Sequence, residues 1–480
     1  MTRRSEGEGS GEGREREWFI FTENREAVVE ALEEGRCEGV LPAARGFLDG
    51  FAEFCLEAGV LEAFAGFPDR RARRSIPMFF FCNTLVHRPL FQIPRLKPIE
   101  RTLFRSPYIL RQLGFNAQQI ERGFYETENG ERPFTAQALA DAFARAKADD
   151  FLVTQQAVLD ALWTYCPGQF RSALWVMDSV HFHVPRGAHT SAQAFKACVL
   201  GVWQDSVVWP LLWMFVPGEE AEITVGRKLF AAAEAVIGEG TIQHLLVDRG
   251  YLDGEWLSQL HQRGTRVTIG VRGDMLILED MINLSRLPDM QWEEVEPPTI
   301  HEDPKPKREV MNLPAMEGEW ATCEVPLSSC LIRDTYPDEV RYRGLVTTEP
   351  EVPACEILSD DRQRWTLEEV FMTATRYWDF DDLPPCRPGV AQAMVHFTLV
   401  AYTLLGFYLQ EREDADERST WNAGPPAIPL PEREVAVYAG GHFALLLPSE
   451  LVTIILEHVD AWQANRKQVL MALRLTEGNT

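Results

Sequence analysis

The sequence predicts a mixed α/β fold, a sheet flanked by helices, with a β-rich insertion and a helical N-terminal region. Three observations lead there. Residues 172–272 fall into short apolar runs, "ALWVMDSVHFHV", "AFKACVLGVW", "VVWPLLWMFV", "HLLVD" and "RVTIGVR", with helical stretches at 222–237 and 253–262. Runs of that length between turn residues are strands, and three in succession followed by alternating helix and strand make a mixed sheet covered by helices. Residues 275–353 then break the pattern with "EPPTIHEDPKPKREV" and the strand-like pieces "WATCEVPL" and "EVRYRGLVTT". Two helical stretches, 361–378 and 389–410, follow that insertion.

In chain order, residues 1–17, "MTRRSEGEGSGEGRERE", carry no apolar periodicity and are expected to be a disordered tail. Residues 18–170 are expected to be helical, since Phe47, Phe51, Phe54 and Ala58 recur at helical spacing. Residues 171–274 form the first part of the core, 275–355 the insertion, and 356–411 the second part of the core. Residues 412–480 are a linker and a helical segment, with a closing helix expected over about 449–474.

The chain has 480 residues, enough for a sizeable core, and its N-terminus has no apolar secretory segment. No run is expected to approach the 18 uncharged apolar residues that a membrane span needs, so a cytoplasmic protein is anticipated. Nine scattered cysteines form no Cys-x-x-Cys pair, which argues for reduced thiols rather than structural zinc.

A formal charge of −25 excludes a protein that coats nucleic acid indiscriminately. Between Arg70 and Arg111, however, nine Arg and one Lys face the single acid Glu100. The cations expected to meet a polyanion are Arg70, Arg71, Arg73, Arg74, Arg95, Lys97, Arg101 and Arg105, with aromatics interleaved. Pairing with the chain's own acids is the competing expectation.

Asp178 in "LWVMDS" and Asp248 in "HLLVDRG" each close an apolar run. Carboxylates at the ends of neighbouring buried strands lie at the rim of the sheet, where open α/β sheets place their sites. Close together they repel unless a cation stands between them, and hard oxygen donors suit Mg²⁺ or Mn²⁺. Either acid alone is more often a turn or N-cap residue, so the pair needs a third member.

The helix "DRQRWTLEEVFMTATRYW" supplies a third acid. At 100° per residue, Leu367, Val370, Phe371, Ala374 and Trp378 form a buried stripe. Glu368 flanks that stripe with Asp361, Arg364 and Thr375, while Glu369 points to solvent. An Arg364–Glu368 surface pair is the alternative. His181 and His183, two apart on the strand after Asp178, share one face and are weighed as possible neighbours of the site against ordinary core or surface histidines.

The order Asp178, then Asp248-x-Gly250-Tyr251, then "RWTLEEVF" after a long insertion resembles the DDE transposases of bacterial insertion sequences. "DFDDLPPCRPGVAQAMVHFTLVAYTLL" resembles the helix pair that follows in that family, and the resemblance spans about 172–405. It implies a ribonuclease-H-like domain interrupted before its catalytic glutamate, with Asp178, Asp248 and Glu368 holding two Mg²⁺ or Mn²⁺ ions for phosphoryl transfer on DNA. Arg364 would orient Glu368 or a phosphate, and the basic segment 70–111 would hold double-stranded DNA. The resemblance further implies a homodimer on terminal inverted repeats, in a bacterial cytoplasm and on the nucleoid when bound. Two positions depart from the family's last motif, with Asp361 where Tyr is expected and Thr375 where Lys is expected. They motivate a second reading, a transposase-derived DNA-binding protein with reduced or lost transposition. A metal-independent carbohydrate hydrolase, suggested by 13 tryptophans, would need two acids across an aromatic cleft, which strand-end aspartates fit less well.

Overall fold

The computed structural model describes residues 20–71, 76–104, 107–115, 120, 125–127, 130–132, 135–170, 174–185, 192–296, 305–316, 320–411 and 434–463. The expected tail 1–17, Arg73, Arg74, Arg105 and the end of the expected closing helix lie outside them. The N-terminal part of the chain forms β1 (Thr22–Glu23), β2 (Gly39–Pro42), β3 (Tyr125–Thr127) and β4 (Gly130–Arg132). The middle forms β5 (Leu174–Val184), β6 (Gln193–Gln204), β7 (Val207–Pro217), β8 (His244–Val247) and β9 (Arg266–Gly270). Then come β10 (Glu293–Val295), β11 (Lys307–Met316), β12 (Leu327–Thr335) and β13 (Val340–Thr347), and finally β14 (Val435–Ala439) and β15 (His442–Leu446).

The chain divides into two units, the first made of Met1–Glu53, Ile99–Thr135 and Leu430–Thr480. Its sheet runs β1-β15-β14-β2, so strands from opposite ends of the chain pair. Both end segments were expected to be helical, and these strands correct that expectation. Gly440 and Gly441 take φ of 61° and 82°, the left-handed pair that a two-residue hairpin between β14 and β15 requires. Helix Arg25–Glu33, capped by the Asn24 side chain on the Ala27 amide, covers a core of Val28, Leu32, Val40, Val437 and Leu446. The expected closing helix forms as two short pieces, Pro448–Glu457 and Val459–Gln463. Asp49 is fully buried here, held by Gln112 at 2.8 Å and by the Tyr438 hydroxyl.

The second unit, Phe54–Pro98 and Ala136–Pro429, is built on a nine-stranded sheet ordered β10-β11-β12-β13-β9-β8-β5-β6-β7. The insertion does form strands, and they continue the core's own sheet: β13 pairs antiparallel with β9 at Leu345–Gly270. At the centre β5 pairs antiparallel with β6 and parallel with β8, and β8 parallel with β9. Helix Ala354–Tyr377 packs on β5, β7, β8, β9 and the insertion strands β11, β12 and β13. The insertion therefore backs the helix that carries Glu368, through Ile332, Leu345, Ile357 and Leu358. All nine cysteines are free thiols.

Helix Pro388–Glu411 is long and apolar enough to cross a membrane by composition, contrary to the expectation that no such run exists, yet its apolar window is wholly buried in this unit. His396 on it shows what that burial demands. The Gln155 amide NH₂ donates to His396 Nδ1 at 2.9 Å, so the imidazole is neutral and accepting, and burial pulls it from its ordinary 6.5 down to about 3. A group depressed in the fold stabilises it fully above the unfolded value and loses that contribution as pH falls toward the folded one. Chemical denaturation is expected to show stability falling by about 2 kcal/mol from this residue between about pH 7 and about pH 5. The same titration of His396→Asn should show a shallower fall, and identical slopes would refute the assignment.

Candidate active site

Asp178 lies in mid-strand rather than at a strand end, because β5 continues six residues past it as a hairpin with β6. Its position is set by the parallel neighbour: β8 pairs only Leu174–Met177 with His244–Val247, and Asp248 is the first residue beyond that ladder. The Asp248 amide donates to the Met177 carbonyl at 3.2 Å, so the two aspartates leave the paired region side by side. Asp248 then caps the turn Arg249–Tyr251, its side chain accepting from the Gly250 amide at 3.3 Å. The turn role and the site role thus fall on one residue.

The third acid is delivered by helix Ala354–Tyr377, whose Leu367, Val370, Phe371 and Ala374 are buried as the stripe requires. Asp360, Arg364 and Glu368 stand four residues apart and so share one face. Asp360 binds Arg266 at 2.7 Å and the Thr268 hydroxyl at 2.8 Å on β9, which fixes the helix in register. One turn on, Arg364 Nη1 touches Asp178 Oδ2, stands 3.1 Å from Glu368 Oε1 and 3.8 Å from Asp248 Oδ1. One cationic nitrogen therefore has all three sequence-predicted acids around it. Glu369 is exposed.

The acids are graded in depth. The Asp178 side chain is 8% exposed, against 33% for Asp248 and 35% for Glu368. Burial pushes the Asp178 carboxyl up to about 7, with Arg364 pulling it down and the charges of Asp248 and Glu368 adding to the rise. Burial also raises Glu368, again with Arg364 opposing. For Arg364 burial works against the charge, but Asp178, Asp361, Asp248 and Glu368 more than offset it and raise its pKa.

Sequence reasoning missed a supporting layer behind the triad. Glu222, at the start of helix Glu222–Ile237, accepts from the Ser179 hydroxyl at 2.6 Å and pairs with buried Lys196 at 3.6 Å. Its other oxygen lies where a Cβ on Gly250 would stand, 1.6 Å from that position. Gly250 is thus a close-approach glycine, required by the space that Glu222 fills and not by a positive φ. Tyr251 packs its ring over Gly226 and donates its hydroxyl to the Asp178 carbonyl at 3.3 Å. Glu222 and Tyr251 each bridge the segment of one aspartate to that of the other. The spacing Asp-x-Gly-Tyr was the visible signal for Gly250 and Tyr251; nothing local marked Glu222.

His181 and His183 are exposed, and strand alternation puts them on the face opposite Asp178. Asp361, rather than facing the rim, is turned onto Arg343 at 3.8 Å and Arg364 Nε at 3.6 Å, whereas Thr375 is exposed.

The basic segment is divided between the units. Arg70 makes two hydrogen bonds to Asp150, at 2.5 and 2.6 Å, and Arg71 binds Asp69 at 2.7 Å, so both charges are matched internally. Arg95, Lys97 and Arg101 are exposed. Among the described residues, no three His, Cys, Asp or Glu side chains stand at a spacing that could hold a metal ion. The triad's oxygens are gathered on Arg364 instead. Their chemistry nevertheless fits a hard divalent cation: three carboxylates share one positive centre, with Asp178 raised in part by the charges of Asp248 and Glu368, and Glu368 in part by those of Asp248 and Asp361.

Residues 176–404 match the family model of the transposase DDE domain. That match supports a DDE transposase. It covers just under half of the chain, from β5 into helix Pro388–Glu411, and includes all three acids. Among curated proteins no relative matches the chain. Among solved structures the chain is similar to the piggyBac transposase in a synaptic complex with hairpin DNA, at 11% identity and a TM-score of 0.41, covering 80% of each chain.

Proposed function

We propose that this chain is a DDE transposase that cuts DNA strands at the ends of an insertion sequence and joins them to a target. The observation that carries the reading is the single nitrogen, Arg364 Nη1, surrounded by Asp178, Asp248 and Glu368. Sequence alone spaces these acids 70 and 120 residues apart, and their convergence on one cation is what a metal-dependent phosphoryl-transfer site needs. The inner strand order β7-β6-β5-β8-β9, antiparallel and then parallel, supports a ribonuclease-H-like core.

In this reading Asp178, Asp248 and Glu368 hold two Mg²⁺ or Mn²⁺ ions, which would supply positive charge to the attacking and leaving oxygens of a phosphodiester. Asp178 forms the floor, while Asp248 and Glu368 present oxygens at the rim. Tyr251 and the Ser179–Glu222 bridge hold the two aspartates in place, and Asp360 holds the helix. The proposed partner is double-stranded DNA bearing terminal inverted repeats, bound by a homodimer. Exposed Thr375, where the family carries Lys, together with Asp361 where it carries Tyr, favours the second reading, a chain that binds DNA without transposing it.

Strand cleavage of DNA carrying the element's ends, with Mg²⁺ or Mn²⁺, tests both readings. Wild type is expected to cut, Asp248→Ala and Glu368→Ala to lose cutting, and Glu369→Ala to keep it. Metal-dependent cutting that survives both substitutions would sink the site, and a wild type that binds these ends without cutting would favour the second reading.

A further inference from the structure

The second unit contains a cavity of about 360 Å³ between the segment Arg95–Lys97, helix Ala136–Phe143 and the start of helix Pro388–Glu411. Its rim carries three cations, Arg95, Lys97 and Arg387, and one acid, Asp141. Asp141 accepts a hydrogen bond from Gln137 at 3.0 Å. Arg95 has Asp382 at 3.8 Å, with the two side chains 63% and 51% exposed, a pair that solvent leaves weak. Lys97 and Arg387 make no ion pair among the described residues, and both are exposed. In a chain of charge −25 a rim with two unmatched cations is a local reversal of field. Below the rim the walls are apolar, with Leu96 and Val390 among them.

We infer that this cavity seats one nucleotide of a DNA strand, with its phosphate on Lys97 and Arg387 and its sugar against Leu96 and Val390. The volume decides the scale. It lies near the low end of small-ligand pockets, about 300–1,000 Å³, so it admits a single nucleotide unit and not the width of a duplex. Cations above apolar walls match a backbone whose phosphates are charged and whose sugars are not. The inference rests on the DNA-acting reading above and assigns Arg387, which sequence reasoning did not select, to the same ligand as Arg95 and Lys97.

The test uses the full chain and fluorescence anisotropy of a labelled single-stranded DNA oligonucleotide over a range of salt. Lys97→Gln with Arg387→Gln is expected to weaken binding about tenfold and to reduce the salt slope by about one, for the one phosphate that the two cations share. Lys97→Arg in place of Lys97→Gln should restore its share of both. Unchanged affinity and slope in the double variant, with melting temperature also unchanged, would overturn the assignment. Deoxyadenosine monophosphate serves as the free probe: its tight binding to wild type, lost in the double variant while DNA affinity stays the same, would make the occupant a free nucleotide and overturn the DNA assignment. A wild type that neither binds nor cuts DNA fails the transposase reading itself. If wild type binds and cuts and the double variant does both equally well, the cavity assignment alone falls.

Discussion

Arg364→Met is expected to destabilise the second unit by about 3–5 kcal/mol in metal-free buffer, and to be rescued by Mn²⁺ more strongly than wild type is stabilised by it. The guanidinium is the positive group shared by Asp178, Asp248, Asp361 and Glu368. Removing one partner of a buried ionic cluster leaves the others uncompensated, and that loss is worth about 3–5 kcal/mol. Methionine keeps the apolar stem of the side chain and removes the guanidinium, so the deficit reports mainly the lost charge. A divalent ion restores positive charge at the same place, and binding to the folded state alone raises its stability. Thermal melting with and without MnCl₂ reads both effects. If Arg364→Met melted like wild type in chelator, or gained no more from Mn²⁺, the guanidinium would not be the group that balances the three acids.

Gly250→Ala is expected to cost about 3 kcal/mol, although it adds one methyl group to an exposed turn. The new Cβ would meet Glu222 Oε2 at 1.6 Å, so the carboxylate must leave. Its departure breaks the Ser179 hydrogen bond and strips buried Lys196 of Glu222, losses of about 1.5–3 kcal/mol for a charged hydrogen bond and more for the stranded ammonium. Glu222→Ala removes the same contacts and also clears the space. A double-mutant cycle therefore has a distinctive expected result: Gly250→Ala adds almost nothing on a Glu222→Ala background. Additive costs would mean that the glycine and the glutamate do not meet. The Mn²⁺ affinity of both single variants should fall together, since Glu222 ties the segment after Asp178 to the segment after Asp248.

The three acids were legible because each carries a local pattern. Asp178 and Asp248 end apolar runs, and Glu368 lies on the edge of a stripe that a helical wheel resolves from Glu369. What lay beyond reading depends on register and on distant pairing. Asp360 sits in step with Arg364 and Glu368 at four-residue intervals, a spacing visible in the sequence, but its role needs Arg266 and Thr268 of a strand some 90 residues earlier. Glu222 looks like an ordinary first-turn acid until Gly250 comes beside it. The β1-β15-β14-β2 sheet joins residues about 400 apart, which no window of local periodicity can see, although Gly440-Gly441 between two apolar runs was a hairpin signal. The strand alternation that removed His181 and His183 from the Asp178 face was available in the sequence once β5 was known to run through Asp178.

The nine-stranded sheet ends differently on its two sides, and this bears on which edge could add a strand from another chain. An open sheet offers its unpaired amides and carbonyls to any other chain that can add a strand. On one side the last strand is β7, eleven residues long and apolar, the kind of edge that recruits neighbours. Its middle is already taken: the Gln155 amide meets both the N–H and the C=O of Trp213, and the Thr403 hydroxyl caps the carbonyl of Pro210, which has no N–H of its own to offer. On the other side the insertion finishes in β10, three residues long, with Glu293 and Glu294 exposed. A strand so short and so charged is a poor template. Excising residues 275–353 to obtain a smaller core would therefore uncover β9, whose partner β13 would be gone, and would turn a protected border into an adhesive one.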